Sequence, residues 1–207
     1  VKTISKNFVL AFLAGFVIAL GCLINLISQN PVVGAVFFTT GLFLVLTRGY
    51  DLFTGKVAYI ADNDYKYSLN LILMWFGNLA GAFTLAMMTR FSALYNKISE
   101  KSTTIVEAKL SQTHLSVFIL AILCGIIIFL AVENFKNNQH EFGKYLGLVF
   151  LIPLFIICGF EHCVANMYYC AVTNGHWVDK IIFLIISTLG NTTGSLICNA
   201  LKKYKNK

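Results

Sequence analysis

The chain has 207 residues, of which 57% are hydrophobic and only 12% charged, with a formal net charge of +7. A water-soluble domain carries about 25% charged residues, so these proportions exclude an ordinary soluble globule and point to a protein solvated largely by lipid. They also exclude a nucleic-acid binder, because no basic soluble domain exists to carry the positive charge.

The charge-free windows give the elements in chain order. Asn7–Thr47, Ser68–Thr89, Leu110–Val132, Tyr145–Phe160 and Ile181–Leu201 contain no Asp, Glu, Lys or Arg. Each reaches or approaches the roughly 20 residues that cross a bilayer core. Pro31, in "SQNPVVG", divides the first and longest window into two. The predicted segments are 8–28, 32–60, 68–90, 112–133, 145–172 and 178–201. Six passes place both termini on one side. That side holds Lys2, Lys6, Lys56, Lys66, Lys136, Lys144, Lys202, Lys203, Lys205 and Lys207, against Arg90, Lys97, Lys101, Lys109 and Lys180 on the other. The bias of Lys and Arg predicts a multi-pass cell-membrane protein with both termini in the cytoplasm. The sequence begins at Val1 without a cleavable signal pattern, which leaves room for residues upstream.

Segments 2 and 5 are longer than a single crossing needs, and each carries a polar interruption. Segment 2 contains "GYDLFTG" (Gly49–Gly55) and segment 5 contains "GFEHCVAN" (Gly159–Asn166), 110 residues apart. Segments 3 and 6 contain "FGNLAG" (Phe76–Gly81) and "LGNTTG" (Leu189–Gly194), 113 residues apart. Two motif pairs in the same order at nearly the same offset indicate a duplication. Three passes per half make the halves inverted in the membrane. The fold class is therefore an all-α membrane protein with two inverted three-helix repeats (about 8–91 and 112–201) in one transmembrane channel domain, 1–207, with helices 2 and 5 broken. Inverted repeats with one broken helix each are a transport architecture.

Unwound backbone is tolerated at membrane depth only where it is buried in protein or lines a cavity. Asp51, Thr54 and Glu161 are the candidates to satisfy the N–H groups freed at the breaks. An acid facing the permeation path would repel an anion, which also favours a structural role for Asp51 and Glu161. Asn78 and Asn191, from the two "GN" pairs, are expected to hydrogen-bond across the repeats, while Gly77, Gly81, Gly190 and Gly194 let helices approach closely. His162 is a candidate pore residue: it lies at a break, can titrate near neutral pH, and has Leu52 in its place in the first repeat. Arg48, just before the first break, is expected to pair with Asp51 or Glu161, or to face the anion path. The six cysteines all fall in apolar segments and read as packing residues. Cys158, His162 and Cys163 lack the spacing of a metal site.

Together "DLFTG", "VEAKLS", "GFEHCVANMYY" and the GN motifs resemble the formate/nitrite transporter family, from Phe8 to Leu201. The resemblance implies an aquaporin-like fold, a homopentamer with a pore in each protomer, no cofactor, and conduction of small monovalent anions such as formate, nitrite and hydrosulfide. It implies a pore centre at Thr54 and His162, made electropositive by Lys109, and constrictions at Phe38, Leu42, Leu52, Phe53, Ile128 and Phe155. Asp51–Thr54 form the loop of broken segment 2. Asn166 belongs to the "GFEHCVAN" signature. The chain departs from the family in "ILCGIII", where Gly125 stands in place of a common Asn. Loss of a pore-facing amide would give a roomier, less polar vestibule, and on that ground the chain resembles most the family's hydrosulfide branch. The alternatives are a formate or nitrite channel, or a proton-coupled transporter of the same family. A rival of another class is a membrane redox protein holding haem through His162, although His114, His140 and His176 are poorly placed as partner ligands. The Asn-Pro-Ala boxes of a water channel are absent, and no nucleophile–base pair suggests an enzyme.

Overall fold

The computed structural model describes residues 2–205, with side chains for residues 5–204. Lys207 and the side chains of Lys2 and Lys205, used in the charge count, lie outside the described residues. The described chain forms α1 (Lys2–Ile27), α2 (Pro31–Arg48), α3 (Phe53–Lys56), a 3-10 segment (Val57–Asp62), α4 (Tyr65–Arg90), α5 (Leu94–Leu110), α6 (His114–Asn137), α7 (Glu141–Ile157), α8 (Cys163–Val172) and α9 (Trp177–Lys205). Helices α1, α2, α4, α6 and α9 are each long and apolar enough to cross a membrane. The apolar pair α7–α8 occupies the fifth predicted segment.

Local chemistry sets these boundaries. Asn30 accepts hydrogen bonds from the backbone N–H of Val32 and Val33, and Pro31 opens α2 at a position whose N–H would have no helical partner. Asp64 caps α4 through Tyr67, and Thr113 caps α6 through Ser116. Both α2 and α7 stop just before a left-handed glycine, Gly49 at φ 68° and Gly159 at φ 69°. A side chain at either would strain the turn that opens the break.

The packing repeats. Helix α1 lies on α2 and α4, and α6 lies on α7 and α9, while α4 on α8 and α2 on α7 join the halves. Small residues make the close approaches, as expected. A Cβ on Gly81 would sit 2.0 Å from the carbonyl oxygen of Phe12, and one on Gly194 would sit 2.1 Å from that of Ile122. Lipid supplies little hydrophobic drive between helices, so this backbone contact and buried hydrogen bonding hold the bundle together.

Helix α5 was not among the predicted segments. Its five charged residues, including Lys101 and Lys109, made it read as a connection. It packs on α1 and α8. Its Lys101 ammonium donates to the carbonyls of Asn25, in the last turn of α1, and of Ser28, just beyond it.

Candidate functional site

Each break is held by the same set of bonds. In the first repeat Asp51 N–H donates to the Leu10 carbonyl (3.2 Å), and Phe53 N–H donates to Asn78 Oδ1 (2.9 Å). Asn78 Nδ2 donates to the carbonyls of Ala11 and Asp51. In the second repeat Glu161 N–H donates to the Leu120 carbonyl (3.3 Å), and Cys163 N–H donates to Asn191 Oδ1 (2.8 Å). Asn191 Nδ2 donates to the carbonyls of Ala121 and Glu161. Both asparagines are fully buried.

This corrects two expectations. Asn78 and Asn191 bond within their own repeats, not across them, because each reaches back to the unwound backbone beside its own helix pair. The freed N–H groups go to these amides, to facing carbonyls and, at the start of α8, to His162, rather than to Asp51, Thr54 or Glu161. A carboxamide suits the task because one side chain both accepts from an orphan N–H and donates to orphan carbonyls.

The acids have other partners. Asp51 forms an ion pair with Lys56. Glu161, with no exposed side-chain surface, pairs with Lys109 and also accepts from Gln112 Nε2 (3.4 Å) and Asn166 Nδ2 (2.9 Å). Gln112, which the sequence reading did not single out, is steadied by Ser116 Oγ donating to its Oε1. Arg48 is exposed at the end of α2 and makes no ion pair among the described residues, so the expected partnership with Asp51 or Glu161 does not form. Lys56 and Lys109 take those carboxylates instead.

His162 holds two bonds. It is the N-cap of α8: its Nδ1 accepts from the N–H of Ala165 at 3.1 Å. Its Nε2 lies 2.9 Å from Thr54 Oγ1. A backbone N–H can only donate, so Nδ1 is the acceptor, and in the neutral ring the proton rests on Nε2, facing Thr54. Both side chains are at most 2% exposed. The two breaks therefore meet through Thr54 and His162. With both ring nitrogens engaged, the haem reading loses its axial ligand.

Two cavities approach this pair from opposite ends. One, of about 400 Å³, has Leu42 and Leu52 at its floor. The other, of about 230 Å³, includes Phe155, His162, Asn166 and Lys109 in its wall. Between them Phe38 meets Phe155 edge-on at 5.6 Å, and Phe155 lies 5.8 Å from the His162 ring. Phe38, Leu42, Leu52 and Phe155 are all buried, at most 2% exposed, and Phe155 stands beside the His162 ring. Ile128 is buried on α6 and lines neither cavity. Phe53 is displaced from its expected role: it lines an apolar crevice with Trp75 and Ile185, between α4 and α9, because Asn78 fixes its backbone on that side. Lys109 stands in the wall of the 230 Å³ cavity, bound to Glu161, rather than beside Thr54.

Gly125 is also corrected. A Cβ there would lie 2.3 Å from the carbonyl oxygen of Asn191, just as one on Gly15 would lie 2.0 Å from that of Asn78. Gly125 faces the α6–α9 contact, so no amide is missing from a vestibule.

Inverted helix groups with a break in each half, the two breaks meeting at Thr54 and His162, define a membrane protein of the transport class. The chain belongs to the formate/nitrite transporter family, whose model matches residues 1–204. It is 31% identical to the uncharacterized transporter YrhG of Bacillus subtilis (strain 168), over 91% of this chain and 80% of the relative. It is 28% identical to the formate channel BtFdhC of Bacillus thuringiensis, over 93% and 83%. The fold matches a solved pentameric formate channel with formate bound, with a TM-score of 0.84 at 24% identity, covering 99% of this chain and 98% of that one. An FNT family ion channel matches with a TM-score of 0.85 at 23% identity, over 98% and 90%. The family is one of membrane transporters, and the chain is a multi-pass membrane protein.

Proposed function

We propose that this protein is a channel for small monovalent anions, with formate and nitrite ahead of hydrosulfide, and that each protomer of a homopentamer carries one pore. The observation that carries this reading is the buried Thr54–His162 pair, where the two breaks meet, with His162 in the wall of the 230 Å³ cavity. Six passes with both termini in the cytoplasm complete the topology, with the Lys56 cavity on the inner side and the Lys109 cavity on the outer. The pentamer and the choice of formate draw on the relatives named for them. Hydrosulfide loses its residue argument, because Gly125 is explained by helix packing.

The chemistry is differential stabilisation of an anion in a dry place. Carrying a bare charge past Phe38, Leu42, Leu52 and Phe155 costs on the order of several kcal/mol. Nε2–H of His162 donates to Thr54 Oγ1, which turns the Thr54 hydroxyl proton outward as a donor at the centre, and an anion that opens this pair meets the ring N–H as a second donor; the N-terminal dipole of the 10-residue α8 points the same way. Proton transfer from His162 to the anion would require an imidazolium, whose Nδ1–H would break the Ala165 cap. The geometry therefore favours hydrogen-bond donation to a passing anion over proton hand-off, and a channel over a proton-coupled carrier.

Flux in proteoliposomes tests this with formate, nitrite, hydrosulfide and chloride, for wild type, His162→Ala and His162→Asn. Formate or nitrite flux should exceed that of hydrosulfide and chloride. Losing the cap in His162→Ala should cost about 1 kcal/mol of stability, which an asparagine cap restores. Neither variant should regain wild-type flux, because both lack the ring N–H. Hydrosulfide dominance would overturn the substrate order, wild-type flux in His162→Asn would remove the donor role, and no anion flux at all would sink the channel reading.

A further inference from the structure

The two cavities differ in charge. The 230 Å³ cavity holds one cationic side chain, Lys109, and that lysine is bound to buried Glu161. The 400 Å³ cavity holds three, Lys56 from α3, Lys136 from α6 and Lys144 from α7, and no acid is among its lining residues. The nearby carboxylates do not cancel all three. Asp51 answers Lys56 alone. Glu133 is occupied by Lys202, Tyr59 and Asn137, leaving Lys136 over the Tyr59 ring at 4.9 Å from its centroid. Glu141 reaches Lys144 at 3.3 Å from a largely exposed position, where such a pair is weak. Lys136 and Lys144 flank the α6–α7 connection, so they stand at the mouth, while Leu42 and Leu52 close the floor.

We propose that this cavity is a binding site for a phosphate-type polyvalent oxyanion, which blocks the pore from that side. Three ammonium groups on three separate elements, converging on a closed-ended cavity, suit a compact ion with acceptors on every side. The same ion does not pass. Desolvation cost grows with the square of the charge, so a dianion meets about four times the barrier of a monoanion at Leu42 and Leu52. A monovalent anion is drawn in and proceeds, whereas a divalent one is drawn in more strongly and stops. The block rests on the channel reading, but the binding site does not.

Two measurements keep these separate. The first follows the phosphorus-31 line width of inorganic phosphate with the whole protein in a phosphate-free sugar detergent, for wild type, Lys144→Gln and the triple variant Lys56→Gln, Lys136→Gln and Lys144→Gln. Wild type should broaden the line in a saturable way, the single variant should weaken binding at least several-fold, and the triple variant should abolish it. A line unaffected by wild type, or broadened equally by all three proteins, overturns the site whether or not formate flux exists. Gel filtration confirms that the variants remain folded, and the single variant carries the test if the triple one does not.

The second measures formate flux with inorganic phosphate on both faces, against chloride at matched ionic strength, in vesicles with and without phosphatidylglycerol. Phosphate should slow wild-type flux several-fold beyond chloride, with the excess lost in the variants relative to their own basal rates. A slowing caused by phosphatidylglycerol and relieved by the same variants would identify the lipid headgroup as the source of the phosphate. Equal slowing by phosphate and chloride in every vesicle would reduce the effect to ionic screening and overturn the block.

Discussion

The two breaks share a scaffold but not a lining. Each has a left-handed glycine, a carbonyl reached from the neighbouring helix, and an asparagine clamping the unwound backbone. At the next position they part. The first break has Leu52, which offers α3 no side-chain cap, and the chain manages only four α-helical residues before tightening into a 3-10 segment. The second has His162, which caps α8, and α8 runs for ten residues. The same imidazole that secures the helix presents its other nitrogen to Thr54. Symmetry thus builds the frame, and one departure from it places a donor where the two halves meet.

The acids beside the breaks sharpen that contrast, and they give the largest expected effect. Glu161 has no exposed side-chain surface and its Lys109 partner is 16% exposed, whereas the Asp51 and Lys56 side chains are 10% and 39% exposed. Glu161→Gln leaves a mostly buried ammonium unpaired, and should cost about 3–5 kcal/mol. Asp51→Asn, at a pair that water screens, should cost about 1 kcal/mol or less. Unfolding of the detergent-solubilised protein measures both. Equal losses would break the distinction. If the Glu161 loss is the larger and Glu161→Gln, Lys109→Leu recovers much of it, the unpaired charge is its cause.

The clamps should behave alike, and here a difference would break the comparison from the other side. Asn78→Ala and Asn191→Ala each strip a buried N–H and two carbonyls of their partner. Each should cost about 2–3 kcal/mol, at about 1–3 kcal/mol per orphaned group and with partial relaxation. Thermal unfolding of the two variants should give shifts that agree closely. A loss confined to Asn191 would mean that the first break is held chiefly by something else.

The architecture was legible because its signals were periodic. Charge-free windows gave the crossings, Pro31 fell at the first residue of α2, and the offsets of 110 and 113 gave the duplication. Residue identity was legible at the site as well, since Thr54 and His162 do meet. Direction was not. A sequence shows that Asn191 sits three residues from Thr188 and Gly194, but not that its amide turns back to Glu161 rather than toward the other repeat. Gly125 misled for the same reason: an absent side chain looks like open space until the backbone of Asn191 is found there. Phe53 looked equivalent to Leu52, yet adjacent residues at an unwound turn point to different compartments. Helix α5 was hidden by its charges, and those charges supply Lys109.

Besides the central Thr54–His162 bond, two ties between the repeats lie at the ends of the third helices, and there the two halves differ in chemistry. Arg90, at the end of α4, donates to Asn174 Oδ1 just beyond α8 (2.8 Å). Lys203, near the end of α9, pairs with Asp62 at the end of the 3-10 segment, and Asn199 donates to the other Asp62 oxygen at 2.9 Å. One tie ends in a neutral amide, the other in an acid. Lys203 first, and then the Asn199 amide, hold the Asp62 carboxyl below its ordinary value of 3.8. A depressed carboxyl contributes stability that is fully present above its unfolded pKa and is lost as pH falls through the lower folded value. Acidification below about pH 4 should therefore loosen the 57–62 segment before it touches the Arg90–Asn174 tie. The effect is the smallest considered, since the Asp62 pair is solvated. Hydrogen exchange, corrected for intrinsic rates, reads it as a loss of protection over residues 57–62 that Asp62→Asn makes independent of pH. Equal acid sensitivity at both ties would assign the loosening to the bundle as a whole, and the Asp62 tie would lose its claim to be the titratable half of a symmetric pair.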